Sequence, residues 1–179
     1  MSKEYVVVSL FNRMGCIWMA ADKANIKVKK RISSEVDKYA ITVNDSVYPD
    51  TIQIGDVKGV RVESGFLIYG EQKIDLSGDV ILAGGSPCQN FSFAGTRKGM
   101  STKDNEKITT LERYLDLKSE GFEFEGQSYL FWEYVRIYKE IRKVNPNIKF
   151  LLENVEMSKE WELLISSVFD IHPFRCNSA

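Results

Sequence analysis

An apolar strand that runs straight into Gly-Gly-Ser-Pro-Cys-Gln constrains this chain more than any other feature. Asp79-Val80-Ile81-Leu82-Ala83 has the continuous aliphatic and β-branched character of a strand covered on both faces, as parallel strands are. Pro87 restricts the backbone just ahead of Cys88, while Gly84 and Gly85 leave room for a bound molecule to approach the main chain. A thiol so placed stands at the carboxyl end of a strand, where open α/β sheets carry their sites. Attack by cysteine requires the thiolate, so a reference pKa of about 8.5 must be lowered, or the proton passed to a base during attack. An isolated Pro-Cys also suits a structural cysteine at a strand end, so its neighbours decide the matter.

The rest of the chain alternates in the manner of an α/β fold. Residues 5–11 form a nearly unbroken β-branched run expected to be the first central strand, followed by Gly15, a helix over 16–24 and a strand over 28–33. Next come a helix over 36–47, a short strand over 51–54, a hairpin excursion over 66–74 and the strand at Val80. A polar stretch over 96–127 is too long for an ordinary connection and reads as a functional loop or lid, with helix over 108–117. Then follow helix 129–143, strand 148–152, helix 159–168 and a last strand over 170–174. This alternation implies a doubly wound, mostly parallel α/β sheet. No internal repeat, low-complexity tract or proline-rich linker divides the chain, so residues 1–179 are expected to form a single module.

Composition excludes more than it selects. With 179 residues and a formal net charge of -1, the chain has no uniformly basic surface, although local patches such as Lys27-Val28-Lys29-Lys30-Arg31 remain open. Three cysteines, Cys16, Cys88 and Cys176, are widely spaced and lack any CxxC, which suggests neither a disulfide framework nor a metal site. A reduced, cytoplasmic setting is the expectation. No stretch approaches the roughly 20 apolar residues of a membrane span.

Residues 84–100, GGSPCQNFSFAGTRKGM, together with Leu151-Leu152-Glu153-Asn154-Val155, resemble the core of the cytosine-C5 DNA methyltransferases, especially those of bacteriophages and restriction-modification systems. The resemblance implies a Rossmann-like S-adenosylmethionine-dependent methyltransferase fold acting on double-stranded DNA. It makes Cys88 the nucleophile that adds to C6 of cytosine, Glu153 the carboxyl group that engages N3 and the exocyclic amine, and Asn154 an amide that orients these surroundings. A base inside a duplex must be flipped out to be reached. Gln89, Ser92, Arg97 and Lys98 would then contact DNA, with Phe91 and Phe93 packed beneath the loop.

S-adenosylmethionine is the implied cofactor. Glu35 resembles the family's ribose-binding acid, with Val36 under the adenine, and Asp56 the acceptor of the adenine amino group, followed by Val57. Phe11, Gly15, Pro87 and Leu130 fall where the family lines the same pocket. Read from residues alone, Glu35 and Asp56 suit helix caps equally well.

Two departures stand out. The family's first loop has Phe-Asp-Gly and a further glycine, whereas this chain has Phe11-Asn12-Arg13-Met14-Gly15-Cys16-Ile17, so that Arg13 and Ile17 occupy small positions and Gly15 is left to make the tight turn. The sequence also stops at Ala179, ahead of the family's Gln-x-Arg arginine, target-recognition domain and terminal helix. The fold is therefore expected to be incomplete at its C-terminus. The chain would be a fragment, a split subunit completed by a second polypeptide, or a catalytically inactive cofactor-, DNA- or protein-binding module.

Two other enzyme classes compete. A cysteine hydrolase would need His172, the only histidine, as the base for Cys88. A nicotinamide dehydrogenase would need the G-x-G-x-x-G that this chain lacks.

Overall fold

The computed structural model describes residues 3–88, 91, 100–102, 106–124 and 126–176. The chain divides into two compact units, one of residues 1–86 and 136–153, the other of residues 87–135 and 154–179.

The first unit is organised by β1 (Glu4–Leu10), whose residues from Val6 onward are all buried. A strand covered on both faces must satisfy its backbone groups through its two edges. It does so by pairing in parallel with β2 (Lys27–Ser34) on one side and, after the intervening elements, with β7 (Asp79–Gly85) on the other. β3 (Ile52–Gln53) pairs in parallel outside β2, and β8 (Lys149–Glu153) outside β7, giving the order β3-β2-β1-β7-β8. Leu10 lies opposite both Ser34 and Gly84, and Gly85 opposite Glu153, so these strands end at one edge of the sheet. The α/β architecture with its parallel sheet agrees with a Rossmann-like methyltransferase fold.

Helix α1 (Cys16–Lys23) follows β1 and buries Trp18 and Ala21. α2 (Lys38–Val47) starts two residues later than its apolar spacing suggests, because the Asp37 carboxylate accepts the Tyr39 and Ala40 amides at 2.8 and 3.2 Å and fixes the first turn there. Strict strand-helix alternation does not hold between β3 and β7. That interval is filled by an antiparallel meander of β4 (Arg61–Glu63), β5 (Phe66–Tyr69) and β6 (Gln72–Asp75). Ser64 and Gly65, both at positive φ, make the first tight hairpin turn, so the expected excursion over 66–74 has one more strand than its sequence suggests.

The second unit is built on aromatic packing. α3 (Leu111–Ser119) is capped by the Thr110 hydroxyl, which accepts the Arg113 amide at 3.2 Å. α4 (Phe131–Val144) contributes its first five residues to this unit and the remainder to the first. Phe131 stands edge-on to Trp132 and to Phe169 of α5 (Lys159–Phe169), and the buried Trp132 indole donates to the Ile108 carbonyl at 3.2 Å. Glu133 is fully buried and accepts from the Tyr114 hydroxyl at 2.5 Å and from the Lys118 ammonium. This triad ties α3 to α4.

The expected last strand over 170–174 is absent. Asp170 takes a left-handed conformation (φ 54°) that closes α5, and residues 171–176 run on as an exposed coil with Ile171 50% and Phe174 90% accessible. Alternating apolar residues make a strand only where a neighbouring ladder receives them. Among the described residues no helix is long and apolar enough to cross a membrane.

Removing a buried charge from a bonded cluster strands its partners. Glu133→Ala is expected to lower unfolding free energy by about 2–4 kcal/mol, read from urea denaturation, with Glu133→Gln costing less because it still accepts from Tyr114.

Candidate active site

The first loop leaves β1 through two non-glycine residues in the left-handed region, Phe11 (φ 57°) and Arg13 (φ 53°), before Gly15 at φ 83°. What holds it is a set of bonds from the neighbouring elements. Asn12 donates its amide to the Ser34 carbonyl at 3.1 Å, and the Arg13 amide donates to the Glu35 carboxylate at 2.7 Å. The other Glu35 oxygen accepts the Val36 and Asp37 amides at 2.8 and 3.0 Å. Glu35 thus sits directly beyond β2, already engaged with backbone but retaining lone pairs for further donors. Val36 is 67% exposed.

Beneath this loop lies a buried amide that the sequence analysis missed. The Asn44 side-chain oxygen accepts from the Trp18 indole at 2.8 Å and from the Asn12 side chain at 3.2 Å. A Cβ on Gly15 would stand 2.4 Å from that oxygen and 2.8 Å from the Trp18 ring. The turn therefore passes through Gly15 for two reasons, its positive φ and the lack of space. Arg13 is exposed, and the side-chain oxygen of buried Asn12 has no hydrogen-bond partner among the described residues. The only sequence signal for Asn44 was a polar residue on the inward face of α2.

On the other side of β2, the Ile54 amide bonds the Ser33 carbonyl at 2.8 Å, and the Ser34 hydroxyl bonds the Gly55 carbonyl at 2.8 Å. Asp56 then caps a single 3-10 turn, Val57–Gly59, accepting the Lys58 amide at 3.0 Å and pairing with its ammonium at 3.2 Å. Val57 is buried. Asp56 therefore serves as a local cap and Glu35 as a tie between the first loop and the chain ahead of α2, and both are only half-buried.

At the far strand pair, Gly85 opposes Glu153, and a Cβ on Gly85 would stand 2.6 Å from a Glu153 carboxylate oxygen. The acid thus lies over the end of β7, three residues upstream of Cys88 in the chain. This explains the second glycine of Gly-Gly-Ser-Pro-Cys.

The remaining selected residues belong to the second unit. Pro87 and Cys88 are half-buried, and the Cys88 carbonyl accepts the Phe91 amide at 2.9 Å. Phe91 is buried edge-on against Trp161 with ring centres 5.9 Å apart. The Asn154 side chain accepts the Val155 amide at 2.9 Å, and half-buried Leu130 ends the 3-10 turn ahead of α4. Gln89, Ser92, Arg97 and Lys98, with Phe93, lie outside the described residues. His172 is exposed in the coil beyond α5, where nothing orients it as a base.

Comparison with known proteins adds the decisive observation: residues 5–119 match the family described as C-5 cytosine-specific DNA methylase. The chain belongs to that family. It is 31% identical over 116 residues to the orphan methyltransferase M.Rho11sI of Bacillus phage rho11s, covering 64% of this chain and 20% of that protein. It is 28% identical over 156 residues to the type II methyltransferase M.NlaIV of Neisseria lactamica, covering 85% of this chain and 34% of that one. The type II methyltransferase M.NlaX of the same species is 29% identical over 111 residues, 62% of this chain and 32% of its own length. The chain thus spans about a third or less of each of these relatives. Its first loop holds Arg13 in the left-handed region at φ 53°.

Relieving that conformation should stabilise the fold: Arg13→Gly is expected to raise unfolding free energy by about 1 kcal/mol. Gly15→Ala, forced both into the left-handed region and against Asn44, should lower it by about 1–3 kcal/mol. Thermal unfolding of the two variants beside the parent checks both signs.

Proposed function

We propose that this chain carries the cofactor-binding and catalytic machinery of a DNA (cytosine-5-)-methyltransferase. The observation that carries the reading is the placement of the Glu153 carboxylate over Gly85, on the strand that leads into Pro87-Cys88, within a chain of this family. S-adenosylmethionine supplies the methyl group, carried on a positively charged sulfur.

The pocket has features that suit this cofactor. The buried Asn12 side-chain oxygen has no partner among the described residues, and acids follow both β2 and β3. Glu35 would receive the ribose hydroxyls and Asp56 the adenine amino group, with Val36 and Val57 against the ring and Phe11 on the same strand edge, while Pro87 and Leu130 are assigned to the cofactor by the family resemblance alone.

The chemistry assigned to the protein's own groups is as follows. The Cys88 thiolate forms a bond to C6 of a cytosine flipped out of duplex DNA, pushing the electron pair of the C5–C6 double bond into the ring. Glu153 would donate toward N3 and so accommodate that charge, leaving C5 electron-rich enough to take the methyl group, whose bond to the sulfonium sulfur would break with the electron pair leaving on the neutral thioether. Loss of the C5 proton to a base then restores the double bond and expels the Cys88 thiolate. Asn154 holds the neighbouring main chain, and Gln89, Ser92, Arg97 and Lys98 would contact the DNA.

A second reading, a binding module without catalysis, is favoured by Arg13 and Ile17 standing at positions where the family keeps small residues. Calorimetric titration with S-adenosylhomocysteine separates the two. A methyltransferase site is expected to bind it, and Glu35→Ala or Asp56→Ala should weaken binding about tenfold or more, the cost of losing a hydrogen bond to a charged group. Binding that is indifferent to both substitutions, or no binding, would overturn the assignment.

A further inference from the structure

The insertion of an antiparallel meander between β3 and β7 places one aromatic side chain against the turn that carries Asp56. A Cβ on Gly55 would stand 2.3 Å from the Tyr69 hydroxyl oxygen and 2.7 Å from its Cζ, and one on Gly59 would stand 3.0 Å from its Cε2. The Tyr69 ring therefore rests on a shelf formed by the two glycines at either end of the turn. Its hydroxyl oxygen accepts the Asp56 amide at 3.3 Å. From the opposite direction, Arg136 donates to the Val60 carbonyl at 2.6 Å and the Val57 carbonyl at 3.4 Å. Glu140 pairs with Arg136 at 2.8 Å and accepts the Val62 amide at 2.9 Å.

The contacts of the Asp56 carboxylate recorded above are both with Lys58, inside its own turn, so they cannot set where the turn points. That is left to the main chain. It is held before Asp56 by β2, at the Asp56 amide by Tyr69, and after it by Arg136.

We propose that Tyr69 is a positioning residue for adenine recognition: seated on Gly55 and Gly59 and bonded to the Asp56 amide, it sets the direction of the Asp56 carboxylate and thereby the preference for a 6-amino purine. The inference rests on the assignment of Asp56 to the adenine amino group made above. A carboxylate in the right place accepts from the 6-amino group of adenine and repels the 6-oxo group of hypoxanthine. The ratio of the two affinities therefore reports carboxylate position, whereas general loosening of the fold weakens both ligands alike.

The test is calorimetric measurement of S-adenosylhomocysteine and S-inosylhomocysteine binding to the full chain and to Tyr69→Phe, Tyr69→Leu and Asp56→Asn. Tyr69→Phe keeps the ring on its shelf and removes only the acceptor. It is expected to weaken the adenine ligand about three- to tenfold, the range for one hydrogen bond, with little change for the hypoxanthine ligand and an unchanged unfolding midpoint. Tyr69→Leu should reduce the ratio further, and Asp56→Asn, whose amide presents either a donor or an acceptor, should erase it. If Asp56→Asn erases the preference and Tyr69→Phe leaves it intact, or lowers both affinities equally, the role of Tyr69 is refuted. If Asp56→Asn leaves the preference intact, or the parent chain binds neither ligand, the Asp56 assignment itself is wrong and the inference falls with it.

Discussion

The backbone of β1 has no water to bond, since the strand is buried from Val6 to Leu10, and everything at the site edge follows from how that demand is met. Parallel pairing with β2 and β7 brings Phe11, Glu35 and Ser86 out beside one another at a single edge of the sheet. Pairing of β8 with β7 in turn sets Glu153 over Gly85. A slip of one residue along any of these ladders would send its side chains to the opposite face. The register of the central strands is thus the condition on which each acid stands where it does.

Sheet edges alone do not shape loops. The first loop visits the left-handed region at Phe11, Arg13 and Gly15, and only one of these is a glycine. Conformations of this kind persist where the surroundings over-determine them. Here the surroundings are the Ser34 carbonyl, the Glu35 carboxylate and Asn44, which receives both the Trp18 indole and the Asn12 amide. The Asp56 turn is held in the same manner, by Tyr69 on its amide and Arg136 on its carbonyls. In both cases the gripping residue comes from an element outside the loop.

The second unit solves a different problem. Its described residues are held by a few large side chains: Phe91 against Trp161, Trp132 bonded to Ile108, and buried Glu133 holding Tyr114 and Lys118. A fully buried carboxylate is tolerable only with donors around it, so Glu133 orders α3 more specifically than apolar contact would. The region read as a lid thus contains a helix with a defined anchor.

The elements with strong local patterns were legible from residues alone. Unbroken β-branched runs marked β1 and β7, helical spacing marked α1, α4 and α5, and Pro87-Cys88 and Glu153 declared themselves because proline, glycine and a charged residue after an apolar run have local meanings. The apolar run over 170–174 misled, because whether it becomes a strand depends on a neighbouring ladder. β4 was too short to carry a pattern, and Asn44 and Tyr69 looked like ordinary helix and strand residues. Their roles arise only across the chain, with Asn12 and Asn44 32 residues apart, Asp56 and Tyr69 13, and Arg136 and Val60 76. The sequence by itself determined the buried central strands β1 and β7 and the position of Pro87-Cys88 just beyond one of them, since an unbroken apolar run is written locally. Which side chain grips which loop was decided by the tertiary structure, because a hydrogen-bond partner is selected by position in space.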